Sequence, residues 1–204
     1  MSRYRGPVTR LSRRLGVILF TNGESKTKAF NKKNYKPGEH GQKRFSQMSE
    51  YNRQLREKQK AKFMYGISEK QSRKYYDMAN NSNEVTGIKY LSLLEQRLDN
   101  VVYRAGLAET RPQARQIVSH GLVTLNGRKV KTPSILVKKG DNFEIKSKSK
   151  ESKMFEGTKK AKHKSPKWIK SDTASLKAEV IAVPDQDDIE QIIDHQLITE
   201  YYSK

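Results

Sequence analysis

The stretch 91–127, LSLLEQRLDNVVYRAGLAETRPQARQIVSHGLVTLNG, constrains the chain most, because helical spacing, caps and a hairpin signal follow one another along it. Leu91, Leu94, Leu98, Val101 and Val102 recur at helical spacing and form one apolar stripe. On that helix Arg97 and Arg104 fall on one flank of the stripe, Glu95 and Asp99 on the other. Gly106 supplies a stop, since glycine takes left-handed backbone angles without steric cost. Thr110 opens the next helix as its N-cap, with Gln113 placed to complete a capping box. Pro112 lies in the first turn, where its missing N–H costs nothing. Ala114, Ile117 and Val118 make the buried face, and Gly121 ends the helix. Residues 122–125 are a β-run. Asn126-Gly127 then predicts a type I′ hairpin, which needs φ > 0 at both positions. Arg97, Arg104, Arg111 and Arg115 are left outside the apolar faces, the last two four apart and projecting together. Guanidinium groups suit phosphate by planar, bidentate hydrogen bonding. The opposing reading is an ordinary solvated surface.

Charge tips that balance. The 204 residues carry a formal net charge of +20 with 34% hydrophobic residues. The core must be small for this length, and the charge points to a polyanion partner. Residues 184–204 hold six acids and one base, so the excess of cations lies upstream. That acidic end either faces another basic protein or supplies the acids favoured at a helix start. There is no cysteine, which excludes disulfides and thiolate zinc. The apolar run 15–20 is broken by Gly16 and too short for a membrane span or a secretory segment. No long basic amphipathic helix offers a bulky face to a membrane surface. His40, His120, His163 and His195 show no paired metal-ligand spacing, and no P-loop, Gly-x-Gly-x-x-Gly or Gly-x-Ser-x-Gly motif occurs. No catalytic residue, cofactor or metal is expected.

LLEQRLDNVVYRAGLAETRPQARQIVSHGLVTLNGRKV closely resembles the RNA-binding module of the small-subunit ribosomal protein four family, in its bacterial or plastid form. That module also occurs in some tRNA synthetases and RNA-modifying enzymes. Three further stretches narrow the resemblance: SRYRGPVTRLSRRL at 2–15, YNRQLREKQKAKFMYG at 51–66 and HQLITEYYSK at 195–204. It covers nearly the whole chain, and the flanks of the module are too small and polar to hold a catalytic domain. The resemblance implies a structural constituent of the small ribosomal subunit, cytoplasmic or in the plastid stroma. It implies early binding to the 5′ part of small-subunit rRNA, nucleation of the subunit body, contact with ribosomal protein five and an influence on decoding accuracy. Some family members carry a cysteine-bound zinc near the amino terminus, a pattern from which this chain departs. Two other functions reuse the module: an RNA-modifying or tRNA-acting enzyme, and a stand-alone RNA chaperone.

The expected fold is α+β: a helical domain with an inserted α/β RNA-binding module of two helices on an antiparallel sheet, plus a basic irregular N-terminal arm. The arm is 1–48; the helical domain is 49–90 with 185–204; the module is 91–184. Insertion is what the resemblance implies. In the arm, Arg3, Arg5, Arg13 and Arg14 have no evident face to bury and are expected to stay irregular until they meet an anion. Lys43 and Arg44, by resemblance, lie near the path by which messenger RNA enters the subunit. Helices are predicted over 49–65 and 68–80, the first carrying Arg53, Arg56 and Lys58 toward RNA. Tyr65, Tyr75 and Tyr76 either stack on bases or fill a small core. After the hairpin come strands at 128–130, 135–137 and 142–146, then a lysine-rich segment 147–167 read as a flexible insertion. Residues 176–182 alternate as a strand, and Pro184-Asp185 is read as opening a final helix buried through Ile189, Ile192 and Ile193. Lys129 joins the module's four arginines in an RNA-facing patch. His120 either caps backbone carbonyls or contacts RNA.

Overall fold

The computed structural model describes residues 4, 6–19, 24–33, 35–42, 48–160 and 163–204. Its helices are α1 (Val8–Leu15), α2 (Glu24–Lys32), α3 (Glu50–Met64), α4 (Glu69–Asn80), α5 (Thr86–Glu95), α6 (Leu98–Arg104), α7 (Arg111–Ser119), α8 (Glu156–Lys160) and α9 (His195–Tyr202). Its strands are β1 (Val123–Leu125), β2 (Arg128–Val130), β3 (Asn142–Ile145), β4 (Ile169–Asp172) and β5 (Lys177–Val180). The chain divides into two compact units, residues 1–87 with 191–204, and residues 88–190.

The first unit is helical. The Ser49 and Ser68 hydroxyls cap α3 and α4, accepting from the N–H groups of Asn52 and Gln71. Helix α9 starts at Asp194, whose carboxylate accepts from Gln196 and Leu197 N–H. It lies along α3 and against α4: Gln54 donates to Glu200 at 3.0 Å, and the Tyr76 and Tyr202 rings pack 4.6 Å apart. Tyr65, Tyr75 and Tyr76 are all buried, which favours the core reading over stacking on bases. The arm is not irregular throughout. Leu11 and Leu15 recur on one face of α1 and are buried with Leu19, giving a basic segment a small apolar stripe to fold on.

The second unit packs α6 and α7 on one face of a five-stranded antiparallel sheet of order β2-β1-β3-β5-β4. Leu98, Val101, Val102, Ile117 and Val118 meet Val123, Phe143, Ile145, Ile169, Ala178 and Val180 in one core. Asn126 (φ 49°) and Gly127 (φ 76°) make the predicted left-handed hairpin turn between β1 and β2. Thr110 caps α7 through the Gln113 N–H, but the Gln113 carboxamide reaches the Glu109 N–H instead of that of Thr110, so the box is displaced by one residue.

Four elements depart from the sequence reading. The helix expected through 91–104 is two helices, broken at Gln96-Arg97 without glycine or proline. Arg97 is extended (φ −64°, ψ 135°) and bridges Leu136, while Val137 N–H donates to Gln96 O and Leu98 N–H to Ile135 O. Residues 135–137 therefore form a single bridge rather than a strand. The lysine-rich segment is anchored: Phe155 is buried in the core beside α8. Finally, Pro184-Asp185 opens only a 3-10 turn at Gln186–Asp188, closed by reciprocal Asp185 and Asp188 side-chain bonds. Ile189 leaves it extended, and Ile192 is exposed while Ile189 and Ile193 are buried.

Candidate nucleic-acid interface

The break at Arg97 sets the electrostatics of the second unit. With residue 97 extended, its side chain turns back onto Asp99, two residues on. Arg97 Nε and Nη2 donate to Asp99 Oδ1 and Oδ2 at 3.0 and 2.7 Å, with the Arg97 side chain 0% exposed. Arg115 Nη1 donates to the same Asp99 Oδ2 at 3.2 Å. Arg104 grips Glu95, itself 0% exposed, through Nε and Nη2 at 2.9 and 2.7 Å. Asn100 Nδ2 donates to that glutamate as well, while its Oδ1 accepts from Arg111 Nε at 2.8 Å. Arg111 lies over the Tyr103 ring and, with Arg104, reaches the Glu190 carboxylate.

The four arginines placed outside by the helical wheel are thus turned mainly inward. Arg97 and Arg115 are buried, and Arg104 and Arg111 keep only a partly exposed edge. The flanks that look opposed on one helix come together because the helix bends between them. Their placement matters physically: a buried guanidinium is tolerable only with a carboxylate and further hydrogen bonds. Asp99 and Glu95 meet that demand here.

A similar correction applies in the first unit. Lys58 is buried: its ammonium donates to Glu69 at 2.9 Å and sits 4.5 Å from the Tyr201 ring centre. Burial raises the Glu69 carboxyl, but hydrogen bonds and charge from Lys58 and Lys62 outweigh it and hold the group below its ordinary range. Arg13 is half-buried, donating to Tyr35 O and stacking on the Tyr35 ring. Arg56 is half-buried and donates to Arg14 O. Arg14 and Arg53 are exposed, Arg53 in a surface pair with Glu50 that contributes little. Arg3, Arg5, Lys43 and Arg44 lie outside the described residues.

What faces solvent in the second unit is the hairpin end. Arg128 and Lys129 are exposed on β2, and Lys131 is exposed just past its end. The stems of Lys129 and Lys131 converge over Gly121: a Cβ there would lie 2.7 Å from Lys129 Cε and 3.1 Å from Lys131 Cγ. His120 is the exposed C-cap of α7, its backbone N–H bonded to Gln116 O. These cations gather at a helix C-terminus, where the dipole favours positive charge. Arg128 and Lys131 are legible as β-hairpin alternation beside Lys129, though the sequence reading does not single them out. On the outer sheet face Glu144 is pulled below its ordinary range, first by a hydrogen bond from Lys150, against slight burial, and then by Lys177. Asp172 is lowered by Ser175, through its hydroxyl and then its N–H. Tyr51 is raised, chiefly by its hydrogen bond with Tyr201. Among the described residues no group of three or more His, Cys, Asp and Glu could hold a metal ion, and no helix is long and apolar enough to cross a membrane.

Comparison with known proteins places this architecture. Residues 3–95 match the ribosomal protein S4/S9 N-terminal domain, and residues 96–143 match the S4 domain. The small ribosomal subunit protein uS4 of Caldicellulosiruptor saccharolyticus is 48% identical over 209 aligned positions, covering all of both chains. The uS4 proteins of Halothermothrix orenii and Chlorobaculum parvum are 46% and 44% identical, again over the full length of both. The chain belongs to the uS4 family of small ribosomal subunit proteins, structural and not enzymatic.

Proposed function

We propose that this chain is a primary rRNA-binding protein that clamps small-subunit rRNA, nucleates the subunit body and contributes to translational accuracy in the bacterial cytoplasm. The carrying observation is the division of labour among its cations. Arg97, Arg115 and Lys58 are spent inside, where they stiffen two small units. Lys129, Lys131, Arg128 and His120 stand outside on the stiffened frame. A rigid surface of this kind reads RNA shape through phosphates more than base identity. Arg14, Arg53 and the arm residues Arg3 and Arg5 supply a second RNA surface in this reading. Ribosomal protein five and, near Lys43 and Arg44, messenger RNA are the further partners proposed.

Counterion release makes such binding steeply salt-dependent: a protein that neutralises six to ten phosphates binds about 10³- to 10⁵-fold more weakly at 200 mM salt than at 50 mM. Filter binding to a transcript of the 5′ part of small-subunit rRNA is expected to show that fall, and the chain to co-sediment with small subunits after a high-salt wash. A drop of less than roughly tenfold, or migration with large subunits, refutes the proposal.

A further inference from the structure

The Glu190 carboxylate occupies a position built for an anion. One oxygen, Oε1, lies 2.7 Å from Arg111 Nη2 and 3.1 Å from Arg104 Nη2. Both guanidiniums are preset from behind. Glu95 holds Arg104 through Nε and Nη2, and Asn100 holds Arg111 Nε while Tyr103 stacks beneath it. The two carboxylates differ in kind. Glu95 is fully buried and cannot exchange, whereas the Glu190 side chain is 22% exposed and follows the extended Ile189 on an irregular segment. A single oxygen shared by two rigid guanidiniums is also how a phosphate oxygen is held.

We propose that Arg104 and Arg111 form a preset clamp for an RNA backbone phosphate and that Glu190 is its intramolecular occupant, displaced when RNA binds. The proposal rests on the RNA-binding reading above and specifies how one part of that surface is masked. In the unbound protein Glu190 neutralises a cluster that would otherwise set four guanidiniums against two carboxylates. On binding, the phosphate replaces it and the Glu190 side chain swings to solvent. The exchange makes the clamp selective: a diffuse anion gains little over the resident carboxylate, while a phosphate held in register by the rest of the interface does displace it. By linkage, an occupant that fills the clamp nine-tenths of the time lowers apparent affinity about tenfold.

The test uses the full chain and the 5′ rRNA transcript at fixed salt. Glu190→Gln, which keeps the volume and removes the charge, is expected to tighten binding about tenfold, and Glu190→Ala to repeat the gain. Asp187→Asn, on the same segment and exposed, controls for net charge and is expected to gain no more than about twofold. In an Arg111→Gln background the Glu190→Gln gain is expected to shrink to about twofold. Thermal melts confirm that each variant is folded. Unchanged or weaker binding by both Glu190 variants overturns the proposal, as does an equal gain from Asp187→Asn or an undiminished gain in the Arg111→Gln background. Failure of the wild-type chain to bind the transcript defeats the underlying RNA-binding reading and the proposal with it.

Discussion

Removing Asp99 tests the claim that the inward arginines are a scaffold. The Asp99 carboxylate accepts two bonds from Arg97, one from Arg115 and one from the Asn100 N–H, and it is itself buried. Asp99→Ala leaves the Arg97 guanidinium, with no exposed side-chain surface, facing a void and a second cation. Breaking a buried pair by deleting one partner costs about 3–5 kcal/mol, because the surviving charge keeps its desolvation penalty without its compensation. For a unit of about a hundred residues each kcal/mol moves the melting point by roughly 4–8 °C, so a fall of at least about 12 °C is expected. Arg97→Met is the contrasting change. It removes the buried cation, fills its space with an apolar chain of similar reach, and leaves Asp99 still bonded to Arg115 and the Asn100 N–H. It is expected to cost less than Asp99→Ala. Urea unfolding, with hydrogen exchange reporting on α6 and α7, measures both. An Asp99→Ala cost within about 1 kcal/mol of zero, or a larger cost for Arg97→Met, refutes the reasoning. So does an Arg97→Met chain that melts normally yet loses rRNA affinity, since the guanidinium would then be touching RNA.

Three further outcomes follow from the same geometry. Lys129→Ala/Lys131→Ala is expected to leave stability within about 0.5 kcal/mol and to weaken rRNA binding, lowering the salt slope by about one for each phosphate no longer neutralised; a melting change with unaltered affinity counts against it. Gly106 has φ 75°, and a Cβ there would lie 2.6 Å from the His163 ring, whose Nε2 bonds Arg104 O. Gly106→Ala is therefore expected to cost about 1–3 kcal/mol, and a neutral result in chemical denaturation would show that the ring is free to move aside. The Glu69 carboxyl, depressed by Lys58 and Lys62, gives a pH dependence. A folded value below the unfolded one means its contribution is complete above the unfolded value of about 4.3 and is lost as pH falls through the folded value. The protection of α4 amides, measured relative to their intrinsic exchange rates at each pH, is expected to fall below that pH in the wild type, and Glu69→Gln to flatten the fall; identical profiles would remove Glu69 from the acid response.

Much of the scaffold is written locally, and there the sequence is a sufficient guide. Ser49, Ser68 and Thr110 mark where α3, α4 and α7 begin, because a cap is a bond between residues three apart. Asn126-Gly127 specifies its turn for the same reason. The misreadings share the opposite cause. The helix at Arg97 is broken by backbone bonds to residues 133–137, and nothing in its own neighbourhood announces the break. A helical wheel assumes one straight axis, so a break at Gln96-Arg97 brings Arg97 and Arg104 onto the acids they seem to oppose. Acids at 185–190 resemble a helix start, yet Glu190 is committed to Arg111, 79 residues away in sequence. Phe155 and Thr158 are buried and Lys150 bonds Glu144, so a lysine-rich segment whose average composition reads as tail is tied down at several points.

A net charge of +20 is consistent with an RNA partner but cannot divide the cations into those that hold the protein and those that hold the RNA. The division depends on which carboxylate each one finds. Asp99 and Glu95 are close in sequence to Arg97 and Arg104, so a short-range search for acids within a turn or two of each arginine flags those two as internally paired. It finds no acid beside Lys129 or Lys131, since none lies between residues 110 and 140, but it misses Arg115, whose partner Asp99 is sixteen residues away. In the proposed RNA-binding reading, the affinity of the module depends less on how many basic residues it has than on how few acids stand beside the exposed ones. An acid introduced at the hairpin, such as Thr132→Glu, is accordingly expected to damage binding more than the loss of the buried Arg97 guanidinium in a chain that stays folded.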